Sequence, residues 1–368
     1  MKTLRPISLS IDGNCVLHNF KTVQKNAKNS KAYAVIKANA YGNGDDFVFN
    51  ILKNDADGFS LLELPRALFF REKTQKPLLL LEGVFDKNEA IVAAQHQITT
   101  VCHCQEQLAW ALESAQKVPA IRLALKLNTG MNRLGFTLKT LPNALKIVKK
   151  IKNAEWLLMA HFARADEENG VDSAWSEFQK MRDIAIFNVP FLKNAEISLA
   201  NSAAILGESK THADIVRPGI MLYGASPFGV VRSLESLDLK PVMTLKSRII
   251  AIQHLEKGDA VGYGGTFIAP EPMPIGIVAC GYADGYPRIA KDAPVWVNGQ
   301  KTKTIGRVAM DMLNVDLRPI QNASIGSDVE LFGENISADK VAESANTIAY
   351  EIFCAMAPRV PRIYKNPR

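Results

Sequence analysis

From the start of the chain to about residue 225, short apolar runs recur with the length and spacing of strands: AYAVI (32–36), GFSLL (58–62), PLLLL (77–81), ITTVC (98–102), AIRLALKL (120–127), EWLLMA (155–160), EISLA (196–200) and DIVRP (214–218). Between most of them lie stretches with helical periodicity, such as LPRALFFREKTQ, NEAIVAAQ, QEQLAWALESAQK, LPNALKIVKKI and AWSEFQKMRDIAIF. Strands alternating with helices predict a parallel sheet. Eight such runs match a (β/α)8 TIM-like barrel, whose active site gathers at the C-terminal ends of the strands. An open doubly wound sheet usually carries a glycine fingerprint after its first strand, and KANAYGNG does not match it.

After about residue 235 the texture changes to alternating runs: MTLKSRIIAIQHL, IGIVACGY, PVWVNGQKTKTIGRV, MLNVDL and DVELFG. Asn298-Gly299 between two of them is a hairpin signal. The pattern predicts a mainly antiparallel β domain with a short helical stretch at SADKVAESANTIAYEIFC. The expected organisation is thus a barrel over 1–235 and a β domain over 236–368.

Composition narrows the function classes. With 368 residues, 47% of them apolar, the chain has ample core for two domains. No run reaches the roughly 20 apolar residues of a membrane helix, and the opening MKTLRPISLSIDGNC has no apolar segment behind its charges, so the expectation is a cytoplasmic protein with no membrane partner. Five cysteines without CxxC spacing indicate neither a disulfide framework nor a zinc site, and VCHCQ (101–105) reads as structural, so no metal is expected. The net charge of +7 is scattered, and its densest stretch, 139–153, reads as the solvated face of a helix. With neither a basic aromatic patch nor a known module, nucleic-acid binding is not expected.

Chemistry enters at AVIKANAYGNG (34–44), where Lys37 is the first charge after a strand-like run. Lys37, Lys126, His161, Ser202 and Arg217 all fall at or just past C-terminal strand ends, which points to one pocket. A lysine at the mouth of an apolar barrel loses solvation, and desolvation favours its neutral amine, the form that Schiff-base chemistry with an aldehyde cofactor requires. Pyridoxal phosphate is the usual such cofactor.

At this point AVIKANAYGNG, KLNTGMNRLGF, HFARADE, ANSAA, VRPGIMLYGASP, VGYGGTF, GYADGY, IGRVAMDM and TIAYEIFCAMAPRVPR, in order along nearly the whole chain, resemble the pyridoxal-phosphate-dependent alanine racemases. The resemblance implies interconversion of L-alanine and D-alanine by a homodimer with shared active sites, supplying D-alanine for peptidoglycan or serving alanine catabolism. It implies that Lys37 holds pyridoxal 5'-phosphate as a Schiff base and acts as one catalytic base. Tyr263, contributed by the other subunit, is the second, because racemisation needs bases on opposite faces of a planar carbanion. A phenol ionises near pH ~10 unless its neighbours favour the phenolate, and His161 and Arg217 resemble the hydrogen-bonded chain from that tyrosine to the cofactor. An arginine facing the pyridine nitrogen keeps it unprotonated and so favours racemisation over transamination.

Ser202, Gly219, Ile220, Tyr41 and Tyr350 match the family's phosphate positions. ANSAA also reads as a plain helix N-cap through Asn201 or Ser202. Arg133 and the backbone N–H of Met310 match substrate-carboxylate contacts, with Asp311 beside them as a supporting or dimer-interface residue. Lys126 matches a position often carbamylated, and a bare ammonium there would repel Arg133. The block departs from the family at Asn128, where Asp is usual. Tyr282, Tyr286 and Arg307 resemble residues lining a narrow substrate entrance. Three other readings share the scaffold: a broad-specificity or serine racemase, a decarboxylase, and a non-catalytic pyridoxal-phosphate carrier. The last is disfavoured by the β domain bearing VGYGGTF and IGRVAMDM.

Overall fold

The computed structural model describes residues 5–367. They form two compact units that are discontinuous in sequence: one comprises Phe20–Ala38 and Leu52–Gly219, the other the described residues up to Asn19 together with Asn39–Ile51 and those from Ile220 onward.

In the first unit each of the eight apolar runs becomes a strand of one parallel sheet, in chain order Lys31–Val35, Gly58–Leu61, Leu78–Leu80, Thr99–Cys102, Ile121–Lys126, Ala154–Met159, Glu196–Ser198 and Ile215–Val216. Neighbours in sequence are neighbours in the sheet up to Glu196–Ser198, and the last strand returns to pair with the first through Lys31↔Ile215 and Ala32↔Val216. The seventh and eighth strands have no regular ladder. They are joined by the N–H of Asp214 to the carbonyl of Ile197 at 3.1 Å, the N–H of Arg217 to that of Ala200 at 3.0 Å and the Ser198 hydroxyl to that of Ile215 at 2.8 Å. Alternate strand positions fill the interior: Tyr33, Leu79, Val101, Ala124, Leu157, Met159 and Ile215 pack together there. Around the sheet, the helix Leu141–Val148 buries Leu141, Ala144, Leu145 and Val148, one face at helical spacing, and leaves Lys146, Lys149 and Lys150 to water. The densest basic stretch is therefore a solvated helix face.

The second unit is built on the 13-residue strand Met243–Leu255, which coincides with the alternating run MTLKSRIIAIQHL. It pairs antiparallel with Met273–Val278 and with Asp328–Phe332, and Leu313–Asp316, Gln300–Ile305 and Pro294–Val297 complete the circuit, so six strands close on themselves. Closure removes exposed edges from most of the sheet. A strand not anticipated from the sequence, Ser8–Asp12, joins this unit antiparallel to Met243–Leu255 and parallel to Arg362–Lys365. Its alternating burial fits a sheet with one covered face, but its partners lie more than two hundred residues away and leave no local signal.

The hairpin at Asn298-Gly299 forms as the dipeptide predicts, with φ of +46° and +82° at its two central positions. A Cβ on Gly299 would meet nothing within 4 Å, so only backbone strain opposes a side chain there. Gly299→Ala is expected to cost about 1 kcal/mol in urea unfolding; an unchanged midpoint would show that the turn does not hold this geometry in solution.

Candidate active site

Lys37 leaves the first barrel strand and enters a left-handed turn. Ala38, Asn39, Ala40 and Tyr41 all have φ between +51° and +54°, and Gly42 and Gly44 follow at +78° and +91°. Four consecutive non-glycine residues in this region cost roughly 1–2 kcal/mol each, so the turn persists only because its surroundings fix it. The amide N–H of Gly44 donates to the carbonyl of Asn39 at 2.9 Å, that of Asn43 to Ala40 at 3.0 Å, and the buried Asn43 side chain to Ala40 at 2.9 Å and Tyr41 at 3.2 Å. Asn39 Oδ1 accepts from the N–H of Asp45 at 3.0 Å, tying the turn to the helix Asp45–Leu52. In the unit that holds it, the Tyr41 ring lies between Tyr223 at 4.9 Å and Tyr350 at 5.9 Å, centroid to centroid. Tyr223 is fully buried and was not singled out from the sequence, where it looks like any apolar-run aromatic.

Inside the barrel unit, Arg217 is the most constrained charged side chain. It is buried, and it donates to Ser198 Oγ, to the carbonyl of Ala160 at 2.8 Å and to that of Leu199 at 3.3 Å, so two strand ends grip one guanidinium. A fourth, longer contact of 3.5 Å reaches His161 Nδ1. The two protons of this Nη2 already serve Ala160 and Leu199; where one is shared with His161, Nδ1 is the acceptor, because a guanidinium only donates, and the imidazole proton then belongs on Nε2. Burial draws Arg217 down to about 10, which leaves it a cation at neutral pH.

The same unit crowds positive charge. Lys126, buried at the end of its strand, is held well below its ordinary value by loss of solvation and then by Arg217 and Arg133. His161 is likewise pushed well below the usual histidine range, first by burial and then by Arg217, Lys126, Arg133 and Lys37. Four of the residues expected from the sequence thus act electrostatically on a fifth, His161, and all four press it toward the neutral form. An arrangement of this kind disfavours further cations and favours anions.

Ser202 is the first residue of the short helix Ser202–Gly207, and Asn201 is its cap, accepting from the N–H of Ala204 at 3.1 Å. That settles the two readings of ANSAA in favour of Asn201 as cap, and the Ser202 hydroxyl instead accepts from the N–H of Gly219 at 2.9 Å. Arg133 is exposed, on a loop ordered by Asn128, whose Oδ1 accepts from the N–H groups of Gly130 at 3.1 Å and Asn132 at 3.0 Å while its Nδ2 donates to Asn132 Oδ1 at 3.1 Å.

In the other unit Ile220 is buried. Tyr263 sits in a tight turn between the paired strands Ala260–Val261 and Phe267–Ile268, flanked by Gly262, Gly264 and Gly265, all at positive φ. Its side chain is 71% exposed. Met310 is also exposed, and its neighbour Asp311 accepts from Arg359 at 2.6 Å. Tyr282 and Arg307 are at the surface, whereas Tyr286 is fully buried and packs in the interior of the β unit instead of lining an entrance.

Family models match in chain order: the N-terminal domain of alanine racemase over residues 11–227 and its C-terminal domain over 242–364. A curated alanine racemase of Ralstonia nicotianae is 44% identical over 97% of this chain and 94% of its own length. The chain belongs to the alanine racemase family. Among solved structures, the biosynthetic alanine racemase of Pseudomonas aeruginosa superposes with a TM-score of 0.90 at 37% identity, covering 98% of this chain and all of that one. The alanine racemase of Bartonella henselae, determined with covalently bound pyridoxal phosphate, superposes with a TM-score of 0.87 at 27% identity over 98% of this chain and 99% of that one. As a racemase-family chain it is an isomerase, and its folded architecture is the family's barrel followed by an antiparallel β domain.

The depressed basicity of His161 has a consequence for stability. Unfolding frees the imidazole to take up a proton at about pH 6.5, which the folded protein resists. The unfolded state therefore binds more protons below that pH, and stability present above about pH 6.5 is lost as pH falls toward the lower folded value. His161→Asn is expected to flatten the fall in urea midpoint between about pH 7.5 and 5.5. Parallel profiles for the two proteins would contradict the assignment.

Proposed function

We propose that this chain interconverts L-alanine and D-alanine with pyridoxal 5'-phosphate as cofactor, acting as a homodimer in which Lys37 of one subunit and Tyr263 of the other are the two catalytic bases. The observation that carries the reading is the barrel unit's cluster of Lys37, Lys126, Arg133 and Arg217 around a neutral imidazole, in a racemase-family chain. An amino acid carried on this cofactor brings a carboxylate and a phosphate, and the cluster has the charge to receive both.

The residues present fit the cofactor. In the barrel unit the Ser202 hydroxyl and the Gly219 amide are already adjacent; the N–H of Ile220 and the hydroxyls of Tyr41 and Tyr350, which belong to the other unit, are further donors of the kind a phosphate needs. When bound, pyridoxal phosphate supplies a conjugated ring that takes up the electron pair left on Cα as the α-proton departs. Arg217, which stays protonated, would offer the ring nitrogen a donor without surrendering a proton, and so would limit how far that pair is drawn away from Cα. Lys37 anchors the cofactor, and its Nζ takes or returns the proton on one face of Cα.

Tyr263 serves the opposite face. A phenol must be helped to ionise, and His161, neutral with its proton on Nε2, is a donor suited to a phenolate, backed by the Arg217 cation. Its exposure, together with that of Ile268, Tyr282, Met310 and Met312 on the same unit, supports a subunit interface that covers them. Arg133 and the Met310 N–H bind the substrate carboxylate. We infer that Lys126 carries a carbamate, since an amine held neutral by burial and two guanidiniums can add carbon dioxide and lose a proton, and the resulting anion would offset Arg133. Similarity to a biosynthetic racemase supports a role in supplying D-alanine for peptidoglycan over alanine catabolism.

Incubating the purified protein with L-alanine and cofactor in deuterated water should give D-alanine labelled at Cα, and the absence of both label and D-isomer would falsify the reading. Tyr263→Phe is expected to lower proton abstraction from one enantiomer by about 100-fold or more while affecting the other far less; equal losses would reject the base assignment. Labelled bicarbonate should give a carbon-13 carbamate signal that is missing in Lys126→Met, and a signal in both or neither would reject the modification.

A further inference from the structure

The β unit contains a buried carboxylate that the proposed chemistry does not use. Asp284, in the GYADGY stretch, is fully buried, yet it binds two surface arginines from opposite ends of the chain. Arg5 Nη1 donates to Asp284 Oδ1 at 2.6 Å and Arg359 Nε donates to the same oxygen at 2.7 Å, while Oδ2 accepts from the N–H of Gly281 at 2.9 Å. Both arginines then extend to one residue beside Met310. Arg5 Nη2 donates to the carbonyl of Asp311 at 2.5 Å, and Arg359 Nη2 to Asp311 Oδ1 at 2.6 Å.

Two backbone bonds complete the connection, from the N–H of Tyr282 to the carbonyl of Ala309 at 3.0 Å and from that of Ala283 to Met310 at 3.0 Å. The two segments lie so close at Gly281 that a Cβ there would sit 2.3 Å from the Met310 carbonyl oxygen. Only the carboxylate of this cluster is fully buried, so stripping Asp284 of its arginines would leave a buried charge uncompensated, and that cost holds the two guanidiniums in place.

We propose that Asp284 is a positioning residue: through Arg5 and Arg359 it locks the 309–312 segment and so fixes the Met310 N–H for the substrate carboxylate. The carboxylate end of the substrate is thereby set from the β unit by an ion-pair cluster that never touches substrate. Burial, the largest single influence, pushes Asp284 up, but Arg5, Arg359 and the Gly281 N–H together outweigh it and hold the carboxyl below the usual range, so the cluster stays ionised under working conditions. This inference rests on the reading that the Met310 N–H meets the substrate carboxylate.

Hydrogen exchange and steady-state kinetics of the holoenzyme and of Asp284→Asn separate the two ideas. Amide exchange over 309–312 should quicken about ten-fold while the barrel strand Ile121–Lys126 is unchanged, and KM for alanine should rise about ten-fold with kcat within two-fold. A general loss of folded protein would instead lower kcat and leave KM alone. Faster exchange with an unchanged KM upholds the lock and overturns the role of the Met310 N–H. Unchanged exchange over 309–312 overturns the lock. Should Asp284→Asn fail to fold, Arg359→Gln, at a side chain 42% exposed, makes the same test with the same expected direction.

Discussion

The barrel unit is organised around an excess of positive charge at its strand ends. Arg217 is buried, and three acceptors, the Ser198 hydroxyl and the carbonyls of Ala160 and Leu199, hold it there. Its charge, with that of Arg133, then bears on His161 and Lys126. His161 cannot easily become a second cation, Lys126 is pressed toward its neutral amine, and the balance is restored only by something negative. A phosphate or a carboxylate has the charge that such a cluster favours.

Backbone strain next to Lys37 is the complementary feature. A left-handed turn at Ala38–Tyr41 costs several kcal/mol in sum, and a chain free to relax would rejoin the common helical region. It is held by the buried Asn43 side chain, by Asn39 bonding forward to Asp45 and by the packing of Tyr41 between Tyr223 and Tyr350. The strain fixes how the chain runs on after the first strand, and it persists because these neighbours over-determine it.

How far the sequence carries can be read from particular residues. The eight barrel strands were legible because strands covered on both faces are written as continuous apolar runs. The 13-residue strand Met243–Leu255 and the Asn298-Gly299 turn were legible because alternation and a turn dipeptide are local signals. Lys37, Lys126, His161, Ser202 and Arg217 could be singled out because each lies at or just past the end of such a strand. Ser8–Asp12 escaped, since its partners are remote in sequence. Asp284 escaped too: within GYADGY it looks like a turn aspartate, and its value comes from two arginines that only folding brings to it. The left-handed turn was equally hidden, as neither Ala nor Tyr advertises positive φ.

Asn128 shows how the charge constraint and the local sequence interact. A carboxylate at this position would offer Arg133 a fixed negative neighbour, whereas the amide offers none. In return the amide both accepts from Gly130 and Asn132 and donates to the Asn132 side chain, a pattern that an ionised carboxylate, with acceptors only, could not complete toward the same oxygen. The chain therefore orders the Arg133 loop by neutral hydrogen bonds. Loop order here thus rests on neutral groups, so it does not depend on the charge state of the cluster around His161.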